Sequence, residues 1–372
     1  MKMQSRPGRA VARGGAIAGA ALVAAAVLAT SASAAATCGG RRVSPFPCLQ
    51  YQFVTLNDNK DLTFNQLLGI NPQGQIAGYF GSGGQGHPNK GYLLSPQGGQ
   101  YSQSGFKDTN FTNSAQTQVT GLNNNNNTEV GFWADQNGAN FGWYKKSNGK
   151  FVNVNFPTQD NSSPAVNQLL GVSNSNTAVG FYNDGAGNSH GYWYEIGSGN
   201  FHAIKVPSNV TSDTATGVND HRDIAGFATT SDGTEEGFLI ANGAFNPIMY
   251  PGASSTQALG VNNSDEVVGV YTMGTGDNAQ MFGFTLTNRR SAGATNTTQV
   301  FQTVNDPNGQ GTTTVNGVSS CGNIVGFYVD GAGNTDGMLG IAGTPAMAHD
   351  AAAISHKKHK KHRKPKKPSG RC

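Results

Sequence analysis

The sequence predicts an all-β protein, a six-bladed β-propeller of four-stranded antiparallel blades closed by an N-terminal strand that completes the last blade. Three observations predict it: a sixfold repeat, a glycine-spaced strand pattern inside each copy, and a strand count that balances when the chain closes into a ring. A Gly-[Ile/Leu/Val]-[Asn/Ser] tripeptide begins at Gly69, Gly121, Gly171, Gly217, Gly260 and Gly317, at spacings of 52, 50, 46, 43 and 57 residues. A period of this size marks stacked supersecondary units. Its unevenness suits blades, which absorb length in loops, better than the near-constant coils of a β-helix.

Within each copy the elements follow in order. The tripeptide marks the first strand. Nine or ten residues later a second glycine sits in a β-branched and aromatic run, as in Ile76-Ala77-Gly78-Tyr79-Phe80 and Ile324-Val325-Gly326-Phe327-Tyr328, which reads as the second strand. Eleven to fourteen residues further a third glycine opens another run, such as Gly191-Tyr192-Trp193-Tyr194 or Gly237-Phe238-Leu239-Ile240. A fourth element carries Phe-x-x-[Ile/Val]-x-x-Pro at 151–157, 201–207, 245–251 and 301–307, with a weaker copy at 106–112. Between strands lie Asn/Asp/Gly clusters, such as Asp184-Gly185-Ala186-Gly187-Asn188, that tolerate the positive φ of tight hairpins.

The count then decides the topology. Six copies provide six first, second and third strands but five fourth strands, and the sixth copy ends at Gly337-Met338-Leu339-Gly340. The missing strand is expected at Tyr51-Gln52-Phe53-Val54-Thr55-Leu56, ahead of the first copy. Closure by this segment removes the open sheet edges that a linear array would expose. The repeating glycines are thereby assigned to backbone approach or bulges.

The pattern Gly-Ile-Asn-x-x-Gly-x-Ile-x-Gly-x-Tyr, followed by a His-Gly-Tyr-Trp-like run, resembles the bacterial extracellular HAF repeat family. The closest copies are Gly171 to Tyr194 and Gly317 to Leu339, and the likeness covers Tyr51 to Ala342. The resemblance implies an exported, β-propeller-like protein and brings no activity or catalytic residue with it. The WD dipeptide and the paired glycines of kelch blades are not repeated here.

Charge is distributed in blocks. Lys2, Arg6, Arg9 and Arg13 precede an alanine-rich run from Ala16 to Ala29 and an Ala32-Ser33-Ala34 cleavage pattern, so residues 1–34 read as a signal peptide. The expected location is therefore secreted or loosely attached to the cell surface. Residues 35–50 form an N-terminal segment in which Cys38 and Cys48 are the best local disulfide pair. Cys321 and Cys372 are left to pair, stay free or cross-link to another chain. The propeller is expected over 51–345; outside the leader and the cationic stretch from Ser355 to Cys372 stand 12 Lys/Arg against 21 Asp/Glu, a body near −9 that argues against nucleic acid as its partner. Residues 346–372 form a basic His/Lys/Pro tail, expected to be disordered. Its Lys357, Lys358, Lys360, Lys361, Arg363, Lys364, Lys366 and Lys367 are candidates for binding anionic envelope polymers.

No metal-ligand spacing, nucleophile elbow or phosphate loop stands out, and no catalytic residue or resident cofactor is expected. Asp135, Asp184, Asp232, Asp277 and Asp330 recur between second and third strands; they are weak Ca²⁺ candidates against plain turn chemistry. His190 occupies a slot held elsewhere by Lys90, Phe141, Glu236, Phe282 and Asp336, variety that reads as a surface position, while His202 and His221 have no partner that spacing can place. Trp133, Trp143, Trp193, Tyr182 and Tyr192 are divided between core packing and sugar stacking. The expected function is an extracellular binding protein, its loops presented to a ligand such as a glycan and its tail attached to anionic surfaces. Two alternatives stand beside it: a secreted hydrolase or lyase with a site in the central funnel, and a structural coat component.

Overall fold

The computed structural model describes residues 32–34, 50–125, 127–147, 149–290 and 297–343. Cys38, Cys48, Cys372 and the basic tail lie outside them, as do residues 1–31 of the stretch expected to be a leader. Six antiparallel sheets form six blades. Blade one contains Asn65–Ile70, Ile76–Phe80, Lys90–Leu94 and Phe106–Asp108; blade two contains Gln116–Leu122, Glu129–Ala134, Asn140–Lys145 and Val152–Val154. Blade three is built from Asn167–Val172, Thr177–Asn183, Ser189–Glu195 and Phe201–Ala203, and blade four from Val210–Val218, Ile224–Thr230, Glu235–Ala241 and Ala244–Ile248. Blade five has Ser255–Val261, Val267–Met273, Gln280–Arg290 and Thr297–Val304. Blade six has Thr314–Val318, Ile324–Val329 and Thr335–Gly343, and its fourth strand is Gln50–Thr55. Six residue pairs, from Gln50↔Gly343 to Thr55↔Met338, make the closure the sequence predicts. Ala32–Ala34 adds a fifth strand at the outer edge, against Tyr51, Gln52 and Phe53.

Each repeat glycine has two structural reasons. In every first strand the register shifts immediately before the repeat glycine, Gly69, Gly121, Gly171, Gly217, Gly260 or Gly317, so each follows a β-bulge. A Cβ added at any of the six would also lie 3.0–3.3 Å from the Cα of the next repeat glycine, with Gly317 meeting Gly69. Adjacent inner strands therefore touch backbone to backbone around the axis, and a side chain there would pry the blades apart.

The core is divided among the six blade junctions. Ala77, Val119 and Trp143 join blades one and two; Leu67, Ile76 and Tyr92 meet Val325 and Leu339 between blades one and six. Tyr51 and Phe53, from the closing strand, pack with Val318, Ile324 and Met338 and with Val268 of blade five. This places the inner strands under strong register control, because a one-residue slip would turn their buried faces outward.

Candidate functional site

Antiparallel blades put the first-to-second and third-to-fourth turns on one face and the remaining loops on the other. On the first of these faces the axis opens into a cup of ≈ 90 Å³, lined by three consecutive residues from each blade. Nearest the glycines is an aliphatic collar of Ile70, Leu122, Val172, Val218, Val261 and Val318; the rim is Pro72, Asn124, Asn174, Asp220, Asn263 and Ser320. The rim is linked across blades. The Asn124 backbone N–H donates to Asn174 Oδ1 (2.7 Å), that of Asn174 donates to Asp220 Oδ1 (2.7 Å), and that of Asp220 donates to Asn263 Oδ1 (2.9 Å). Asp220 Oδ2 also accepts from the carboxamides of Asn174 and Asn263. Although partial burial works against ionisation, these hydrogen bonds hold the Asp220 carboxyl below its ordinary value, so the rim carries a fixed negative charge.

The third residue of each tripeptide is a clasp. Oδ1 of Asn71, Asn219 and Asn262 accepts two backbone N–H groups of its own hairpin, and Ser319 Oγ does the same. The Nδ2 groups of Asn123, Asn219 and Asn262 donate to the carbonyls of Ser173, Asn262 and Ser319 in the next blade. These asparagines stitch hairpin to hairpin around the cup.

The candidate aromatics divide by burial. Trp143 and Tyr192 are fully buried in the blade junctions. Trp133 is stacked on Phe111 (4.5 Å, 9°) and on Phe141 (4.6 Å, 26°), and Tyr182 on Phe156 (4.8 Å, 7°). Trp193 carries the His202 ring at 3.7 Å and the Arg222 guanidinium at 4.5 Å. Their ring faces are used by the chain itself, which moves the binding question to the axis.

His190 lies at the surface, its side chain 39% exposed, but its ring is engaged by its neighbours. His190, Lys90, Phe141, Glu236 and Phe282 are half-buried and Asp336 is buried, because the slot packs against the side chain two residues after the second glycine, as Phe141 does on Trp133 and Phe282 on Tyr271. His190 Nε2 lies 2.9 Å from Asp184 Oδ2, and this bond holds the Asp184 carboxyl down at about 2. Next to it Asp213 is buried, accepts from the Gly191 N–H (2.7 Å), and is pushed up to about 6 by burial.

Asp213 makes stability fall as pH rises. Its folded carboxyl keeps a proton that the unfolded chain, with an ordinary value of 3.8, has already lost. The folded state thus binds more protons between about pH 4 and pH 6, and stability declines across that window by up to about 3 kcal/mol. Asn65 and Asn167 fill the same slot in blades one and three. Asp213→Asn is therefore expected to be about 1–3 kcal/mol more stable than the parent in urea unfolding at pH 7.5 and to gain nothing at pH 4. Parallel pH–stability curves for the two proteins would refute the assignment.

The predicted loop aspartates lie apart, each engaged in its own turn. Oδ1 of Asp135 accepts from Asn137 and Ala139, Oδ1 of Asp184 from Ala186 and Asn188, and Oδ1 of Asp330 from Ala332 and Asn334. Asp232 Oδ1 accepts from Thr230 and Thr234, and Asp277 lies in a short 3₁₀ turn. Cys321, on the blade-six hairpin beside the rim, is disulfide-bonded, and its partner lies outside the described residues. The Cys38–Cys48 pairing and the tail lysines also fall outside them. Among the described residues no helix is long and apolar enough to cross a membrane. Sequence reasoning missed the rim, although its signal was present in the residue after each tripeptide.

No family model matches the chain, and no curated protein matches it by sequence. Solved structures do. The chain is similar to a fungal lectin from Aleuria aurantia, described as a six-bladed β-propeller with a novel fucose recognition mode, with TM-score 0.44 at 8% identity over 77% of this chain and 96% of the lectin. It is also similar to TolB from Acinetobacter baumannii, with TM-score 0.41 at 10% identity over 74% of this chain, which spans 63% of TolB's length. A prolyl endopeptidase structure matches with TM-score 0.42 at 11% identity over 78% of this chain and 44% of the peptidase. The likeness is one of fold.

Proposed function

We propose that this is an exported binding protein that takes a polar end group of an extracellular glycan into its axial cup, with the basic tail holding it near anionic envelope polymers. The observation that carries the reading is the cup itself, an aliphatic collar beneath a rim of carboxamides and one ionised carboxylate. Apolar walls with a few convergent polar groups are the usual make-up of a small-ligand site. Carboxamides and carboxylates together serve sugar hydroxyls, which both donate and accept. A volume of ≈ 90 Å³ admits a few heavy atoms, so the ligand presents an end group and the rest of it lies across the rim. The leader and the resemblance to an extracellular repeat are the grounds for export.

A glycan array probed with the full chain, followed by thermal shift with the sugars that bind, tests the reading. Asn263 is an exposed rim residue, so Asn263→Trp can cover the cup without entering the core. Asn263→Trp and Asp220→Ala are each expected to weaken binding at least about tenfold, or about 1.4 kcal/mol. A blank array, or a covered cup that binds as well as the parent, overturns the proposal.

A further inference from the structure

At the junction of blades four and five, beside the cup, three metal-ligating side chains converge from two hairpins. A ring nitrogen of His221 and carboxylate oxygens of Asp223 and Asp265 all lie within 4.8 Å of one another. Asp223 is buried, Asp265 half-buried, and His221 exposed at the mouth.

The neighbouring junctions show what the fold itself requires at these positions. In the hairpin slot of Asp223, Gln75 Oε1 accepts from Asn71 Nδ2 as Asp223 Oδ2 accepts from Asn219 Nδ2. In the slot of Asp265, Asn176 Oδ1 accepts from Asn123 Nδ2 as Asp265 Oδ1 accepts from Asn219 Nδ2. Neutral side chains meet both structural roles, and the left-handed backbone of Asp265 (φ 57°) is matched by Asn176 (φ 60°). The position of His221 is held by Gln73, Ser175, Ser264 and Cys321 in other blades. At this one junction all three slots carry donors of a metal ion at once. Here the two carboxylates stand together with the imidazole, His221 Nδ1 lying 4.0 Å from Asp223 Oδ2. Arg222, the adjacent cation, is placed over the Trp193 ring.

We propose that His221, Asp223 and Asp265 form a divalent transition-metal site of the zinc type that clamps blade four to blade five. One imidazole nitrogen and two carboxylate oxygens suit such an ion, at bond lengths of about 2.0–2.2 Å and tetrahedral donor separations near 3.4 Å. Closing from the present separations takes a rotamer adjustment, which exposed His221 can make. The site stands independently of what the cup binds.

The test uses the full chain with His356→Ala, His359→Ala and His362→Ala, so that the tail imidazoles bind no metal. ZnCl₂ titration by calorimetry, melting in ZnCl₂ and in EDTA, and zinc-edge anomalous diffraction are compared for this parent, His221→Ala and Asp265→Asn. The parent is expected to melt higher in zinc, and each variant to lose one equivalent or at least tenfold in affinity. In EDTA, Asp265→Asn should melt at or above the parent, because the carboxylate repulsion is gone; a drop there would show that Asp265 is structural and overturn the site. Absence of zinc binding to the parent, equal binding by Asp265→Asn, or an anomalous peak elsewhere also overturns it.

Discussion

Removal of residues 50–55 is expected to abolish cooperative unfolding altogether. The segment provides six ladder pairs to Thr335–Gly343, and Tyr51 and Phe53 are 2% and 6% exposed in the junction between blades five and six. Truncating one buried aromatic costs about 3–5 kcal/mol. Losing two, together with the ladder, consumes most of the roughly 5–15 kcal/mol that holds a typical domain folded. The deletion also bares the edge of Thr335–Gly343, whose free N–H and C=O groups would pair with another chain. Phe53→Ala alone should cost about 3–5 kcal/mol in denaturant unfolding. The same strand supplied after residue 343 through a flexible linker should restore the transition. A deletion variant that still melts cooperatively at the parent temperature would show that the ring does not depend on this strand.

Two glycines five residues apart should respond in opposite directions. A Cβ at Gly326 would lie 1.9 Å from the Thr314 carbonyl oxygen, 2.9 Å from the Thr314 carbonyl carbon and 3.0 Å from Val315 Cα, backbone that cannot turn aside. At Gly331, in the following hairpin, nothing lies within 4 Å, and its φ is not positive. Gly326→Ala is expected to cost at least about 3 kcal/mol, at the severe end of overpacking, because the obstacle is the partner strand itself. Gly331→Ala should be neutral or stabilising by up to about 1 kcal/mol, since it restricts the unfolded chain without a clash. Equal melting temperatures for the two variants would mean that the second-strand glycine is dispensable.

The contrast explains what was legible in the sequence. Repeat glycines, hairpin asparagines and the spare strand at the N-terminus report local geometry or a count, and both survive in one dimension. The rim residues Asn124, Asn174, Asp220 and Asn263 share one repeat position, but their joint role was not legible because their hydrogen bonds join residues in different copies, such as Asn174 with Asp220. His221 stood beside Asp223 in its own hairpin, but the third member of the cluster, Asp265, belongs to the next repeat and could not be placed by spacing. The surface reading of His190 was incomplete for a related reason: a variable slot can be partly packed when its cover, here the residue two after the second glycine, varies with it. Trp133 and Tyr182 looked available for stacking until the connections from the preceding blades supplied Phe111 and Phe156 to lie on them.

The shared blade has a consequence for synthesis. In the nascent chain Gln50–Thr55 is made before the first strand of any blade, while Thr335–Gly343 is made after every other blade strand. Domains generally fold as they appear, N-terminal part first, yet this ring cannot close on any product that stops before its final strand. Incomplete chains would keep an unpaired first strand and a gap in the circle, the features that chaperones and proteases recognise. Closure thus acts as a proofreading step on chain completeness, built into the order of the strands.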